Sequence, residues 1–153
     1  MSRLEDSQES LPMDGELAAL RHHADATVDV TDWDRKPFDR IEGGPVISRV
    51  SFVHAFSGDI EGEGTLEYLM AIGEGGAASY VGLERVRGRL GKREGSFILQ
   101  HTGTFEGGTA SVEWVVVPGS GTGALRGLRG RGGFTTGHST TYGVTLDYDF
   151  EEP

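Results

Sequence analysis

Cysteine is absent from the 153-residue chain, which excludes disulfide frameworks, thiolate metal sites and a cysteine nucleophile. Bases are scarce: 14 Lys and Arg stand against 24 Asp and Glu, a formal charge of −10 at pH 7. That balance disfavours non-specific binding to nucleic acid or to an anionic membrane surface. Apolar runs of membrane-spanning length are missing. Residues 1–22 carry acids and no apolar core, so a secretory signal is not expected either. The expectation is a soluble cytoplasmic protein. Proline contributes only 5 residues, whereas glycine contributes 25 without a collagen period. Glycine at that level, spread among β-branched segments, indicates tight turns and bulges.

Helical periodicity is nearly missing after Ala24, so packed helical layers are not available. Apolar and β-branched runs instead alternate with glycine clusters. The pattern predicts strands over Ala24–Asp34, Val46–Ser57, Gly64–Ile72, Ala78–Leu90, Gly95–Phe105, Thr109–Val117, Gly132–His138 and Tyr142–Phe150. Between them, "EGGP", "GDIEGEG", "GEGGA", "GKRE" and "FEGGT" supply turn formers. A short-loop meander leaves unpaired edges unless it closes, which predicts a single closed antiparallel eight-stranded up-and-down β-barrel. A two-sheet sandwich is the alternative. Glycines within strands, such as Gly82, Gly88 and Gly103, favour closure because barrel corners need sharp local bends. The organisation is a tail over 1–22, with a short helix-like piece at Glu16–Arg21, followed by a barrel domain over 23–153.

The stretch "VVVPGSGTGALRGLRGRGGF", Val115–Phe134, carries a G-x-G-x-x-A pattern at Gly119–Ala124. A dinucleotide site would need a helix after those glycines and a ribose-binding acid about 20 residues on. Gly127, Gly130, Gly132 and Gly133 stop any helix, and the next acid is Asp147. The run is therefore a crossover between strands, with Leu125 and Leu128 plugging one barrel end.

The segments "IEGGP", "GDIEGEGTLEYLMA", "SYVGLERVRGRLGKREGSFILQHTGTFEGG" and "VVPGSGTGALRGLRGRGGF…YGVTLDYDF" resemble a bacterial family, domain of unknown function 3224, from about Ala24 to Phe150. The resemblance implies an allene oxide cyclase-like barrel, distantly related to dirigent proteins. It implies no established activity.

A barrel of this size is filled by side chains or holds one small ligand. With a tight Glu74–Ala77 turn, Glu67 lies opposite Glu84. Facing carboxylates would share a proton and could act as a general acid/base pair. The following hairpin has two registers. One sets Gln100 beside Glu84 with Trp114 beyond; the other sets His101 there with Glu113 beyond. The apolar face of Val112, Trp114 and Val116 favours the first, leaving His101 outward with Phe97 and Phe105. Outward aromatics would need cover, which predicts a homo-oligomer. Tyr68, Tyr80, Gln100 and Trp114 are then the ligand-binding candidates. Each has a bland alternative: surface ion pairs for the glutamates, a satisfied amide for Gln100, core packing for the aromatics.

No metal or cofactor is expected. His22 and His23 lack a carboxylate at ligand spacing, and Ser120 lacks a nucleophile elbow. The leading expectation is a barrel binding a small, mostly apolar molecule. The alternatives are an isomerase or cyclase using Glu67 and Glu84, and a plugged barrel that serves as an interaction protein.

Overall fold

A computed structural model of the protein describes residues 20–151. Nine antiparallel strands follow in chain order: β1 (His22–Asp39), β2 (Val46–Gly58), β3 (Ile60–Ile72), β4 (Ala78–Leu90), β5 (Arg93–Glu106), β6 (Thr109–Val116), β7 (Thr122–Gly123), β8 (Leu128–Thr136) and β9 (Thr141–Phe150). Neighbours pair in sequence from β1 to β6, then β6 with β8, β8 with β9, and β9 back to β1. The result is a closed eight-stranded barrel with β7 as a short extra strand. Among the described residues there is no helix, so none is long and apolar enough to cross a membrane. The expected tail and its helix-like piece lie mostly outside the described residues.

Alternation sets the two faces of the wall. Along β6, Val112, Trp114 and Val116 are buried while their neighbours are exposed. Closure rests on a ladder in which Val144 pairs Ala26 and Leu146 pairs Ala24, four inward apolar residues. Such a ladder cannot slip by one residue without turning its apolar face to water.

The glycine-rich crossover has a local task. β6 covers β5 only from Leu99 onward, so the lower part of β5 has a bare edge. The β7 residues Thr122 and Gly123 pair with Ser96 and Gly95 there, and Ser120 Oγ accepts from the Ile98 amide. Gly119 and Gly123 adopt positive φ of 79° and 61° to make the turn. Leu125 and Leu128 then drop into one end of the barrel, where they pack with Ile60, Leu90, Phe97 and Leu146. Burying each such side chain stabilises the fold by about 1.5–3 kcal/mol. One end is thus filled. The other, around Val50, Leu66, Tyr68, Tyr80 and Val112, is not.

Two turns correct the predicted registers. The β3–β4 connection takes five residues, Gly73–Ala77, closed by a hydrogen bond from the Gly73 amide to the Ala77 carbonyl. One extra residue flips every facing pair. Leu66, not Glu67, stands opposite Glu84. The β4–β5 turn uses only Gly91 and Lys92, which sets Leu99 opposite Glu84 and Gly82 opposite His101. Gly107 and Gly108, both at positive φ, then pair His101 with Trp114 and Gln100 with Val115. His101, Phe97 and Trp114 therefore face inward and Gln100 outward. The outward aromatics expected to form an oligomer face do not exist; the outer apolar residues of this wall are Leu69, Val81, Leu83 and Val115.

Candidate functional site

Four adjacent strands each contribute one polar side chain to a chain of hydrogen bonds inside the wall. His54 on β2 contacts Glu84 on β4, Nδ1 to Oε2, at 2.8 Å. The other oxygen of Glu84 meets His101 Nε2 on β5 at 2.9 Å. His101 Nδ1 meets the Tyr68 hydroxyl on β3 at 2.8 Å. All four residues are buried, with Glu84 and His101 fully inaccessible.

The backbone explains how such bulky groups fit. Gly64 stands opposite His54, and a methyl group there would lie 2.1 Å from Glu84 Oε2. The missing side chain is the space that the carboxylate occupies. The Tyr68 ring packs on Gly82, and the Tyr80 ring on Gly103, where an added methyl would meet them at 2.6 and 2.5 Å. Trp114 stacks edge-on to His101 at 5.2 Å between ring centroids and donates Nε1–H to the Thr145 carbonyl at 3.0 Å.

Burial opposes ionisation of Glu84 more than any one contact favours it. The hydrogen bonds from His101 and His54 together still hold its carboxyl below the ordinary carboxylate range. An ionised carboxylate only accepts hydrogen bonds, so both imidazoles donate to it. In a neutral ring, His101 then presents Nδ1 as an acceptor to the Tyr68 hydroxyl. Burial, followed by the charges of Tyr80 and Glu84, drives the Tyr68 hydroxyl far above its usual range, so it stays a donor. Tyr142 is shifted upward by burial and Glu84 in the same sense.

His54 is where this buried chain reaches open space. It lines a cavity of about 400 Å³ at the unplugged end of the barrel, together with Phe52, Tyr68, Tyr80, Phe134 and Tyr142. Nδ1 is committed to Glu84, and Nε2 has no hydrogen-bond partner among the described residues. The side chain is a cavity-facing imidazole backed by a carboxylate. That is the arrangement by which a base is oriented and its conjugate acid stabilised.

The candidates read from the sequence separate cleanly by face. Glu84, Tyr68, Tyr80, Trp114 and His101 all lie inside. Glu67 is on the outer surface, ion-paired to Arg49 at 2.9 Å, because of the five-residue turn. It faces Leu83 and cannot share a proton with Glu84. Gln100 and Glu113 are also exposed on the outside. His54, Tyr142 and Arg35, another cavity-lining residue, were not singled out by the sequence. For His54 the signal was present: it alternates with Val50, Phe52 and Phe56 on one face of β2. Among the described residues no group of three or more His, Asp or Glu side chains is arranged to hold a metal ion. The two imidazoles converge on a carboxylate instead.

Comparison with known proteins gives a family and no activity. Residues 24–148 match the family described as "Protein of unknown function (DUF3224)". The crystal structure of a DUF3224 protein of unknown function from Shewanella oneidensis MR-1 is similar, with a TM-score of 0.67 and 29% identity. The alignment covers 84% of this chain and 99% of that one. No curated protein matches the chain significantly. The chain belongs to the DUF3224 family.

Proposed function

We propose that this member of the DUF3224 family binds a small, mostly apolar molecule in the open half of its barrel, with His54 as the polar anchor. The observation that carries the reading is an imidazole nitrogen without a partner among the described residues, at an aromatic cavity of about 400 Å³. Ligand sites of this type combine mostly apolar walls with a few fixed polar groups. A plug has no use for an oriented, carboxylate-backed imidazole. Native mass spectrometry of full-length protein purified from its own host tests the reading. An added mass is expected on the wild type and not on Ala78→Phe, which fills the cavity from the lip of β4. A wild type that carries no small molecule and binds none from a host metabolite extract would overturn it.

The Glu84–His54 contact supports a second reading, as an isomerase. His54 Nε2 would remove a proton from a carbon next to a substrate carbonyl and return it at another position. Such a shift needs no co-reactant, and Glu84 stabilises the transient imidazolium. The resemblance to allene oxide cyclase-like barrels fits this version, in which cavity shape steers a reactive molecule. Turnover separates the readings: wild type that converts the co-purified molecule, with Glu84→Gln losing far more turnover than affinity, favours the enzyme, and no turnover in either protein favours binding alone.

A further inference from the structure

We infer that the molecule held in this cavity is a monoanion, its charged group received by Arg35 at the mouth and its flat apolar body lying among the aromatic walls. The inference rests on the binding reading above and adds the ligand's charge and shape. Arg35 is one of the cavity-lining residues, and none of the others is an aspartate, glutamate, lysine or second arginine. Among the described residues it has no carboxylate within ion-pairing distance, although its neighbour Lys36 pairs with Asp34 at 3.9 Å. In a chain of net charge −10, an unpaired cation facing an apolar cavity stands against the general field.

The backbone aims Arg35 there. Up to Val30, the even-numbered residues of β1 face the interior, as Ala24, Ala26 and Val28 show. A bulge then lies between Val30 and Asp32: Val30 pairs with His54, but Asp32 pairs with Val53. The extra residue shifts the alternation, so Arg35, exposed at the rim, stands opposite the buried Val50 and borders the cavity. Without the bulge, Asp34 would point to the cavity and Arg35 away from it. The irregularity therefore selects a cation over an acid at the mouth.

The spacing describes the rest of the ligand. Val50, opposite Arg35, and His54 are four residues apart on β2, roughly 13 Å along the strand. Phe52, Tyr68, Tyr80, Phe134 and Tyr142 line the same cavity. Phe134 and Tyr142 lie 4.7 Å apart at 32°, and Tyr68 and Tyr80 4.6 Å apart at 55°. Tilted rings at these distances accept a further ring in offset or edge contact. An aromatic or alicyclic carboxylate, sulfonate or phosphate ester meets the requirement.

Two fluorescent probes that differ by one charged group test this: 1-anilinonaphthalene-8-sulfonate and the neutral N-phenyl-1-naphthylamine. Each is titrated into full-length wild type, Arg35→Gln and Asp34→Asn. The wild type should bind the sulfonate about tenfold more tightly, and Arg35→Gln should lose that factor while its affinity for the neutral probe changes less than twofold. Asp34→Asn, an outward charge on the same strand, should leave both affinities in place. Equal wild-type affinities, or an Arg35→Gln loss shared by both probes, overturns the anion preference and leaves the cavity reading standing. Failure of both probes to bind overturns the two together.

Discussion

Replacing Glu84 by glutamine should turn the His54 ring from an acceptor into a donor at the cavity. In the wild type, His54 Nδ1–H and His101 Nε2–H both donate to one carboxylate. An amide can accept from one ring only. Its NH2 must then face the other, and His54 can accommodate it by moving its proton to Nε2. Tyr68 blocks the same change at His101, because it already donates to Nδ1. The two charge-assisted bonds become neutral ones, at a cost of about 1 kcal/mol each. For a domain of this size the expected loss of about 2 kcal/mol lowers Tm by roughly 6–10 °C. The pH dependence follows from the depressed Glu84 carboxyl. Its contribution is fully present above the ordinary value of 4.5 and is lost as pH falls through the lower folded value. The gap between wild type and variant should therefore be full at neutral pH and close in acid. Thermal melts at successive pH values, with nitrogen-15 NMR of the histidine rings, read both effects. A gap that does not change with pH, or a His54 tautomer that is the same in both proteins, would refute the reasoning.

Other substitutions probe the surroundings. Gly64→Ala should displace the Glu84 carboxylate, shift the His54 and His101 ring resonances, and cost about 1–3 kcal/mol, measured by urea unfolding. Leu125→Ala at the fully buried plug should cost about 2–5 kcal/mol while leaving those ring resonances in place. Glu67→Gln should change stability by less than about 1 kcal/mol and leave ligand binding untouched, since it breaks only an exposed pair with Arg49. Tyr68→Phe should cost about 1–3 kcal/mol in chemical denaturation, because His101 Nδ1 is left buried without its donor.

The barrel was legible because its strands alternate visibly and its turns are rich in glycine. The predicted Ala78–Leu90 strand has the observed bounds. The glycine run after Val117 was legible as a crossover for the same reason: nothing after it can continue a helix. The site was less legible because sheet position depends on parity. Five residues rather than four between β3 and β4 put Glu67 outside, and a two-residue turn after Leu90 put His101 inside. Neither turn length is written in composition. The bulge after Val30 is equally silent, since Thr31 does not differ in type from an ordinary strand residue. His54 could have been found by following β2's alternation, and Gly64 by asking what its missing side chain makes room for.

The division of the barrel into a packed half and an open half gives the polar chain its rigidity. Side chains in a close-packed core are costly to move, and Phe97, Leu99 and Val86, close in register to Glu84, belong to the packed cluster. His101 is held by Tyr68, Trp114 and Glu84 at once, so its ring has no freedom to turn. Glu84 in turn fixes His54, whose Nε2 has no hydrogen-bond partner among the described residues. The other three groups of the chain thus position an imidazole that borders the cavity. A purely structural core would be better served by apolar residues in those places, because buried polar networks give little net stability for the desolvation they require. Under the proposed binding role the orientation of one nitrogen is what this arrangement provides, so the His54 tautomer is the measurement that tests it most directly.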